Sequence, residues 1–354
     1  MRLILLPLAL LYGIITFIRN KLFDWRIIPS KSFDLPVISV GNLSVGGTGK
    51  TPHVEYLINL IKNEFSVATL SRGYKRKTKG FVLADEQTGV NEMGDEPVQF
   101  YKKFPGIKVA VDEKRVRGIK TLIKKFSELE AIILDDAFQH RYVKPGLSIL
   151  LTDFHKLYVN DYPLPAGSLR EFRSGAKRAD IIIVTKTSNV LSPITRRRLT
   201  GLIKPRDFQK LYFSYIKHGS FTAIQGVNFN PDKSKYNTIL LVAGIANTYP
   251  LERYLKKHCE ELEMLKFPDH HKYTLKDMEE IIESFNNIFS KNKIIVTTEK
   301  DTVRLMDKDI LDTIKNLPIC YIPIKVVFHR EDREEFNNQI LNYVKTNKRN
   351  NNIY

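Results

Sequence analysis

An α/β fold is what this chain predicts: a doubly wound parallel sheet of the P-loop NTPase type, with an apolar helix before it and a second, smaller α/β domain after it. Three observations predict it. The run Val37-Ile38-Ser39-Val40 feeds a Gly-rich turn that ends in Lys50-Thr51 and enters a helical pattern. Apolar runs of strand length then alternate with helix-length segments through residues 66–203. After a change of pattern at 205–237, a second series of the same kind starts at Thr238.

The Gly-rich turn comes first in the argument. In SVGGTGKT (44–51) the glycines let backbone N–H groups converge on a polyphosphate without Cβ obstruction. The following helix N-terminus adds its dipole, Lys50 adds a full charge, and the Thr51 hydroxyl is a Mg²⁺ ligand in such loops. Ser44 stands where the motif has its first glycine. The expected nucleotide contacts are Ser44, Val45, Gly46, Gly47, Thr48, Gly49, Lys50 and Thr51. A carboxylate at the end of a neighbouring apolar strand is the usual companion for the Mg²⁺ shell. AIILDD (131–136) supplies Asp135 and Asp136, so Thr51, Asp135 and Asp136 are the expected metal residues.

The remaining elements follow in order. Strands are expected at 37–41, 66–70, 81–83, 108–111, 131–134, 148–152 and 181–185, and helices at 52–63, 95–103, 113–127 and 193–203. The segment 153–180, rich in Pro, Gly and Arg, reads as an irregular connection. LYFSYIK and FTAIQGVNF look like a two-stranded connector turning at His218-Gly219. Beyond it come strands at 238–245, 293–298 and 320–328 and helices at 250–262 and 275–289. The expected domains are a membrane-associated helix at 1–25, the P-loop core at 26–215, the connector at 216–236, a C-terminal α/β domain at 237–345 and a tail at 346–354.

Composition limits the function classes. The 354 residues leave ample core for two domains. Two cysteines, Cys259 and Cys320, exclude a disulfide framework and point to a reducing compartment. A net charge of +17 calls for an anionic partner: nucleic acid, acidic lipid or a phosphorylated substrate. The apolar run at 3–18 ends in Arg19, Asn20 and Lys21. It is short for a span, no small-residue cleavage site follows it, and a buried core helix is the plain alternative. An interfacial helix with Arg19, Lys21, Trp25 and Arg26 at headgroup level fits it best.

Further constellations carry charge. SRGYKRKTKG (71–80) follows a strand, where open α/β sheets bind ligands, although a solvated charge run has the same composition. Asp95 and Glu96 stand just before Pro97 and a helical run, which on its own is ordinary helix-start grammar. Arg170 in LPAGSLREF suits charge neutralisation at a transferring phosphoryl group. Asp269, His270 and His271 lack further ligands at zinc spacing. Thr185-Lys186-Thr187-Ser188 has a serine where a guanine-reading aspartate would stand, which favours ATP over GTP.

Taken in order, GNLSVGGTGKTP, SRGY, GDEP, DDAFQH, LPAGSLRE, FPDHH and TEKD resemble the tetraacyldisaccharide 4'-kinases of lipid A biosynthesis across residues 1–305. The resemblance implies ATP- and Mg²⁺-dependent phosphorylation of the 4'-hydroxyl of a tetraacyl disaccharide 1-phosphate at the cytoplasmic face of the Gram-negative inner membrane. It implies a catalytic dyad of Asp95 with His270, His271 being the other imidazole in that motif, and catalytic roles for Lys50 and Arg170. Substrate contacts are implied for Asn42, Arg72, Tyr74, Gln139, His140 and Arg170. The expected partners are the lipid A precursor and an anionic membrane surface, with no nucleic acid and a monomeric chain. Ala137 and Ser168 depart from the family pattern without touching its charged residues. The rival reading is a switch or metallochaperone NTPase that acts on a protein; a nucleic-acid-binding ATPase has only the charge in its favour.

Overall fold

The computed structural model describes residues 3–347. The elements are α1 (Leu6–Asp24), β1 (Val37–Asn42), α2 (Lys50–Ile61), β2 (Val67–Ser71), β3 (Val82–Leu83), α3 (Val90–Met93), α4 (Asp95–Lys103) and β4 (Lys108–Val111). Next come α5 (Arg115–Lys125), β5 (Ala131–Asp135), β6 (Leu147–Asp153), β7 (Ile181–Thr185), α6 (Pro193–Ile203), β8 (Lys210–His218) and β9 (Thr222–Ala223). The chain continues through β10 (Tyr236–Ala243), α7 (Tyr249–Leu255), β11 (Cys259–Lys266), α8 (Leu275–Asn287) and β12 (Lys293–Thr298). It closes with α9 (Glu299–Leu305), α10 (Lys308–Ile314), β13 (Ile319–Ile322), β14 (Ile324–Phe328) and α11 (Arg330–Asn347).

Two compact units share these elements. The larger takes the chain up to Met93, Phe100–Ile216 and everything from Val326; the smaller takes Gly94–Gln99 and Lys217–Lys325. The larger unit carries a nine-stranded sheet in the order β14-β8-β7-β6-β1-β5-β2-β4-β3. β1 is buried along its whole length because its neighbours β5 and β6 run parallel to it and helices cover the sheet. The register sets Val40 beside Asp135, so the turn after β1 and the carboxylates after β5 leave the sheet at the same end. One core cluster packs Leu199 and Ile203 of α6 onto Leu150, Ile182, Val184 and Phe213. Another packs Ile119 and Leu122 of α5 onto Ala68, Leu70, Ile132 and Leu134. Each such leucine or isoleucine contributes about 1.5–3 kcal/mol on burial, which is what holds the strand ends in register.

The apolar N-terminus is a helix with two faces. Ala9, Gly13 and Phe23 are buried, and a Cβ on Gly13 would stand 2.4 Å from the Phe172 ring. Leu8, Leu10, Leu11, Ile14, Ile15, Phe17 and Ile18 are exposed, so α1 is no core helix. Among the described residues it is the one helix long and apolar enough to cross a membrane.

The smaller unit has a five-stranded sheet, β11-β10-β12-β13-β9, with its core on both sides of β10 and β12. A capping box of Thr274 and Asp277 starts α8.

Several expectations need correction. β8 and β9 do not pair with each other. β8 lies parallel to β7 in the larger sheet, and β9 is the antiparallel edge of the smaller one beside β13. Alternation in LYFSYIK reports a half-buried strand and says nothing of its partner. The helix expected at 250–262 ends at Leu255, and 259–266 is a strand parallel to β10. Glu, Leu and Met favour helix, but pairing to a buried neighbour overrides that weak preference. The strand expected at 320–328 is two, broken at Pro323, which has no N–H to give a ladder. Strands β8-β7-β6-β1-β5-β2-β4 and β11-β10-β12-β13 pair in parallel, and β3 and β9 at the edges run antiparallel. From Val326 on the chain belongs with the larger unit, where the Tyr343 hydroxyl donates to Val37 O at 3.4 Å. Residues 348–354 of the expected tail lie outside the described residues.

Candidate active site

The phosphate loop is shaped by its backbone. Gly46 and Gly49 have φ of 107° and 85°, a region that side chains rarely adopt, and Gly49 turns the chain directly into α2. A Cβ added to Gly46 or Gly47 would meet nothing within 4 Å. The loop's own fold therefore leaves an open cradle there, as the approach of a polyphosphate requires. The loop is held by its neighbours. Asn42 Nδ2 donates to Thr48 Oγ1 at 2.9 Å, Thr185 Oγ1 donates to Thr48 O at 2.9 Å, and Val45 N donates to Ser168 O at 2.7 Å. Lys186, which also pairs with Asp153 at 2.8 Å, donates to Gly47 O.

At the mouth of this loop Lys50 Nζ lies 3.5 Å from Asn42 Oδ1 and 3.7 Å from Asp136 Oδ1. Arg170 Nη1 reaches the same Asp136 oxygen at 2.9 Å and Gln139 Oε1 at 3.4 Å. Gln139 Nε2 in turn donates to Asn42 O at 2.9 Å. Five of the residues singled out by sequence thus meet: Asn42, Lys50, Asp136, Gln139 and Arg170. Asp136 adopts φ 45°, a costly conformation for a non-glycine residue that turns its carboxylate beside the loop. Burial pushes its carboxyl up, and Lys50, Arg170 and Arg115 outweigh that and hold it below the usual value. Asp135, the last residue of β5, is buried.

Arg115 carries no signal in the sequence beyond being basic, yet it is 3% exposed at the start of α5. Its Nη1 donates to Asp112 O at 2.9 Å, while Nε and Nη2 have no hydrogen-bond partner among the described residues. Burial lowers its pKa to about 10, against the pull of Asp135 and Asp136. Buried guanidinium donors without a protein acceptor among the described residues, near enough to Asp135 and Asp136 to feel their charge, suit an anionic ligand. Burial and the charges of Arg115 and Arg72 bring His140 down to about 4, so it is neutral at pH 7. Arg72 and Tyr74 are exposed on the turn after β2, while Arg76 in the same basic run is committed to Gly80 O and Glu113.

The segment 164–172 joins the phosphate loop to α1. Arg170 N donates to Leu43 O at 2.7 Å, and Tyr12 Oη donates to Arg170 O at 3.0 Å. Glu171 accepts from Asn20 at 2.6 Å, from Gln139 at 3.1 Å and from Arg178 at 2.7 and 2.9 Å. An apolar run in sequence gives no sign that Tyr12 and Asn20 reach these residues. No group of three or more His, Cys, Asp or Glu converges among the described residues. Mg²⁺ in phosphoryl-transfer sites is held by one or two carboxylates with phosphates and water, and Thr51, Asp135 and the ionised Asp136 fit that donor set.

The smaller unit holds the second constellation. Asp95 is 6% exposed, and its Oδ2 accepts from His270 Nδ1 at 2.8 Å and from Arg304 through Nη2 and, at 3.2 Å, Nε. Lys300 Nζ lies 2.9 Å from His270 Nε2. A lysine ammonium has no acceptor, so Nε2 takes its proton and Nδ1–H donates to Asp95. Arg304 is itself tied to Asp301 at 2.9 Å, and Asp301 accepts from Gly244 N at 3.0 Å. Burial pushes the Asp95 carboxyl up, but His270, Arg304 and Lys300 hold it well below the carboxylate range. His271 faces elsewhere, toward Asp277 at 3.0 Å. His270, not His271, therefore touches Asp95. Neither Arg304 nor the contact of Lys300 with His270 was foreseen.

A family model described as tetraacyldisaccharide-1-P 4'-kinase matches residues 1–345. The chain is 47% identical to the tetraacyldisaccharide 4'-kinase of Flavobacterium johnsoniae over 98% of both chains. It is 45% identical to that of Bacteroides thetaiotaomicron over 98% of this chain and 94% of the relative. Among solved structures it is similar to the "apo" form of LpxK from Aquifex aeolicus in complex with ATP. The TM-score is 0.74 at 30% identity, over 97% of this chain and 99% of that one.

Proposed function

This chain belongs to the tetraacyldisaccharide-1-P 4'-kinase family, and on that premise we propose that it transfers the γ-phosphoryl group of ATP to the 4'-hydroxyl of a tetraacyl disaccharide 1-phosphate. The observation that carries the reading is the meeting of Lys50, Asp136, Arg170, Gln139 and Asn42 at the open glycine cradle, in a segment bonded to α1. The rival switch or metallochaperone reading has no support from the relatives named above.

The residues divide the work. The amides around Gly46 and Gly47, with Lys50, bind the polyphosphate, and Arg170 and Arg115 stabilise charge on the transferring group. Thr51, Asp135 and Asp136 would hold a Mg²⁺, which would supply charge neutralisation at the phosphates. Asn42, Arg72, Tyr74, Gln139 and His140 bind the lipid headgroup. Asp95 accepts the proton of the 4'-hydroxyl, with His270 orienting it through Nδ1–H. A carboxylate so firmly ionised is a weak base, and a loose phosphoryl-transfer transition state asks little of one. Its contribution is a fixed, charged acceptor rather than a strong one.

Acyl chains keep the substrate in a bilayer, and the exposed apolar face of α1 beside Arg19, Lys21 and Arg26 suits an anionic surface at the cytoplasmic side of the inner membrane. Full-length protein with ATP, Mg²⁺ and a detergent-dispersed lipid A precursor should form the 4'-phosphorylated product. ATP hydrolysis without lipid phosphorylation would defeat the reading. Glutamates at Leu11, Ile15 and Ile18 should reduce sedimentation with anionic vesicles several-fold and spare kinase activity on detergent-dispersed lipid. Unchanged sedimentation would remove α1 as the anchor. Substitution is a cleaner test than deletion, because α1 also supports Arg170 and Glu171.

A further inference from the structure

We propose that Asp161, in the irregular connection between β6 and β7, is a positioning residue for phosphoryl transfer: through Ser168 it fixes the turn from which Arg170 reaches Asp136. The inference rests on the assignment of Arg170 to the transferring group and adds what holds that arginine in place. Every residue in the argument belongs to the larger unit.

The hold is a buried carboxylate. Asp161 and Ser168 are each 6% exposed. The carboxylate accepts from Tyr162 N at 2.8 Å, from Ser168 N at 3.2 and 3.3 Å, and from the Ser168 hydroxyl. One side chain thus collects both donors of Ser168, and a charged acceptor strengthens each bond. Lys156 adds its charge at 3.4 Å. Burial pushes the Asp161 carboxyl up, but the Ser168 hydroxyl, Tyr162 N and Lys156 outweigh that and hold it below its usual value. Between the two residues the chain folds back so closely that a Cβ on Gly167 would collide with Tyr162 O and the Asp161 carboxylate.

The other side of this turn is zipped to the entry of the phosphate loop. Val45 N donates to Ser168 O at 2.7 Å, Ser44 and Leu169 form an antiparallel bridge, and Arg170 N donates to Leu43 O at 2.7 Å. Leu169 is buried in the core cluster that α6 covers, and its N–H donates to Tyr162 O at 3.0 Å. From that base Arg170 Nη1 reaches Asp136 Oδ1 at 2.9 Å and Gln139 Oε1 at 3.4 Å. A long side chain aims where its backbone is fixed. Loss of the carboxylate strands two buried donors of Ser168, and the turn must shift to satisfy them. A displacement of about 1 Å at a group that acts on the reacting atoms costs on the order of 10²-fold in rate. The phosphate loop itself is also held through Thr48 by Asn42 and Thr185, so the loss falls on Arg170 and not on nucleotide binding.

A double-mutant cycle in the full chain tests this, with ATP, Mg²⁺ and a detergent-dispersed lipid A precursor, read as kcat, KM for ATP and thermal midpoint. Asp161→Asn keeps the volume and removes the charge. It should lower kcat about ten- to hundredfold and leave KM for ATP within about twofold. In an Arg170→Ala background the same substitution should cost less than about twofold, because the residue it positions is gone. Ser168→Ala keeps the backbone bond and loses the hydroxyl. It should lower kcat severalfold, again only where Arg170 is present, and it decides the matter if Asp161→Asn does not fold. An equal fractional loss in both backgrounds, or a lowered midpoint with normal kcat, would make Asp161 a purely structural residue and overturn the proposal. Arg170→Ala turning over at the wild-type rate would instead remove the reading of Arg170 beneath it.

Discussion

The two constellations are built in opposite ways. The phosphate loop is one contiguous stretch whose chemistry resides in backbone amides, with glycine conformations and neighbouring hydrogen bonds shaping it. The Asp95 cluster draws on Gly94–Gln99, the turn at 267–271 and α9, and consists of charged side chains that bind one another. A backbone site tolerates loss of a side chain without losing its shape. A site made of mutually compensating charges does not, because removing one member leaves another buried and unpaired.

The largest expected effect tests the first half of that contrast. Lys50→Ala should lower kcat by on the order of 10³ or more and leave the thermal midpoint unchanged, since Lys50 approaches Asp136 only at 3.7 Å and Arg170 still pairs with it. Lipid phosphorylation at the wild-type rate would remove the loop from the mechanism. Asp95→Ala comes next, with a fall in kcat of about 10², the low end for loss of a general base, and little change in KM for ATP. His270→Ala should cost less, and the double variant less than the sum, if the pair acts as a unit. Normal turnover with a lowered thermal midpoint would leave Asp95 a structural residue.

What was legible in the sequence follows the same division. The phosphate loop and Asp135-Asp136 stand out because a contiguous motif after a strand carries its mechanism in its residue types. Asp95 and His270 are 175 positions apart. Only a family resemblance joins them, since no periodicity relates such positions. Arg304, three residues after Asp301, reads as an ordinary surface pair on a helix, yet both are buried. Arg115 was equally silent, because burial of a charge is a tertiary fact. The fold failed to be legible where a strand's partner or a helix's propensity had to be guessed, as at β8, β9 and β11.

Arg304→Met probes the second half of the contrast. It strips the cation shared by Asp95 and Asp301, and breaking a buried pair of this kind costs about 3–5 kcal/mol. The pH dependence carries the sign. The Asp95 carboxyl is depressed in the folded state, so its stabilisation is present above the unfolded carboxylate value and is lost as pH falls toward the folded one. Without Arg304 that depression shrinks, so the gap in thermal midpoint between wild type and variant should hold from pH 7 down to the unfolded carboxylate value, about 3.9, and narrow only on further acidification. A gap independent of pH would mean that Arg304 acts by packing alone.

The smallest effect sets a histidine of the first region against His270. His53 on α2 also carries its proton on Nδ1, but gives it to a carbonyl, Gly49 O at 2.7 Å, while Ser214 donates to Nε2 at 3.0 Å. With no carboxylate to favour the cation, burial and, to a smaller extent, Lys186 lower its pKa from 6.5 to about 4, the Gly49 hydrogen bond opposing them. The unfolded chain therefore binds a proton near pH 6.5 that the folded chain refuses until about pH 4. Stability from this residue is complete above pH 6.5 and falls across that window by about 3 kcal/mol. His53→Gln removes the titrating group, so its midpoint should decline less than that of wild type between pH 6.5 and pH 4. Parallel midpoint profiles for the two proteins would show that His53 titrates alike in the folded and unfolded states.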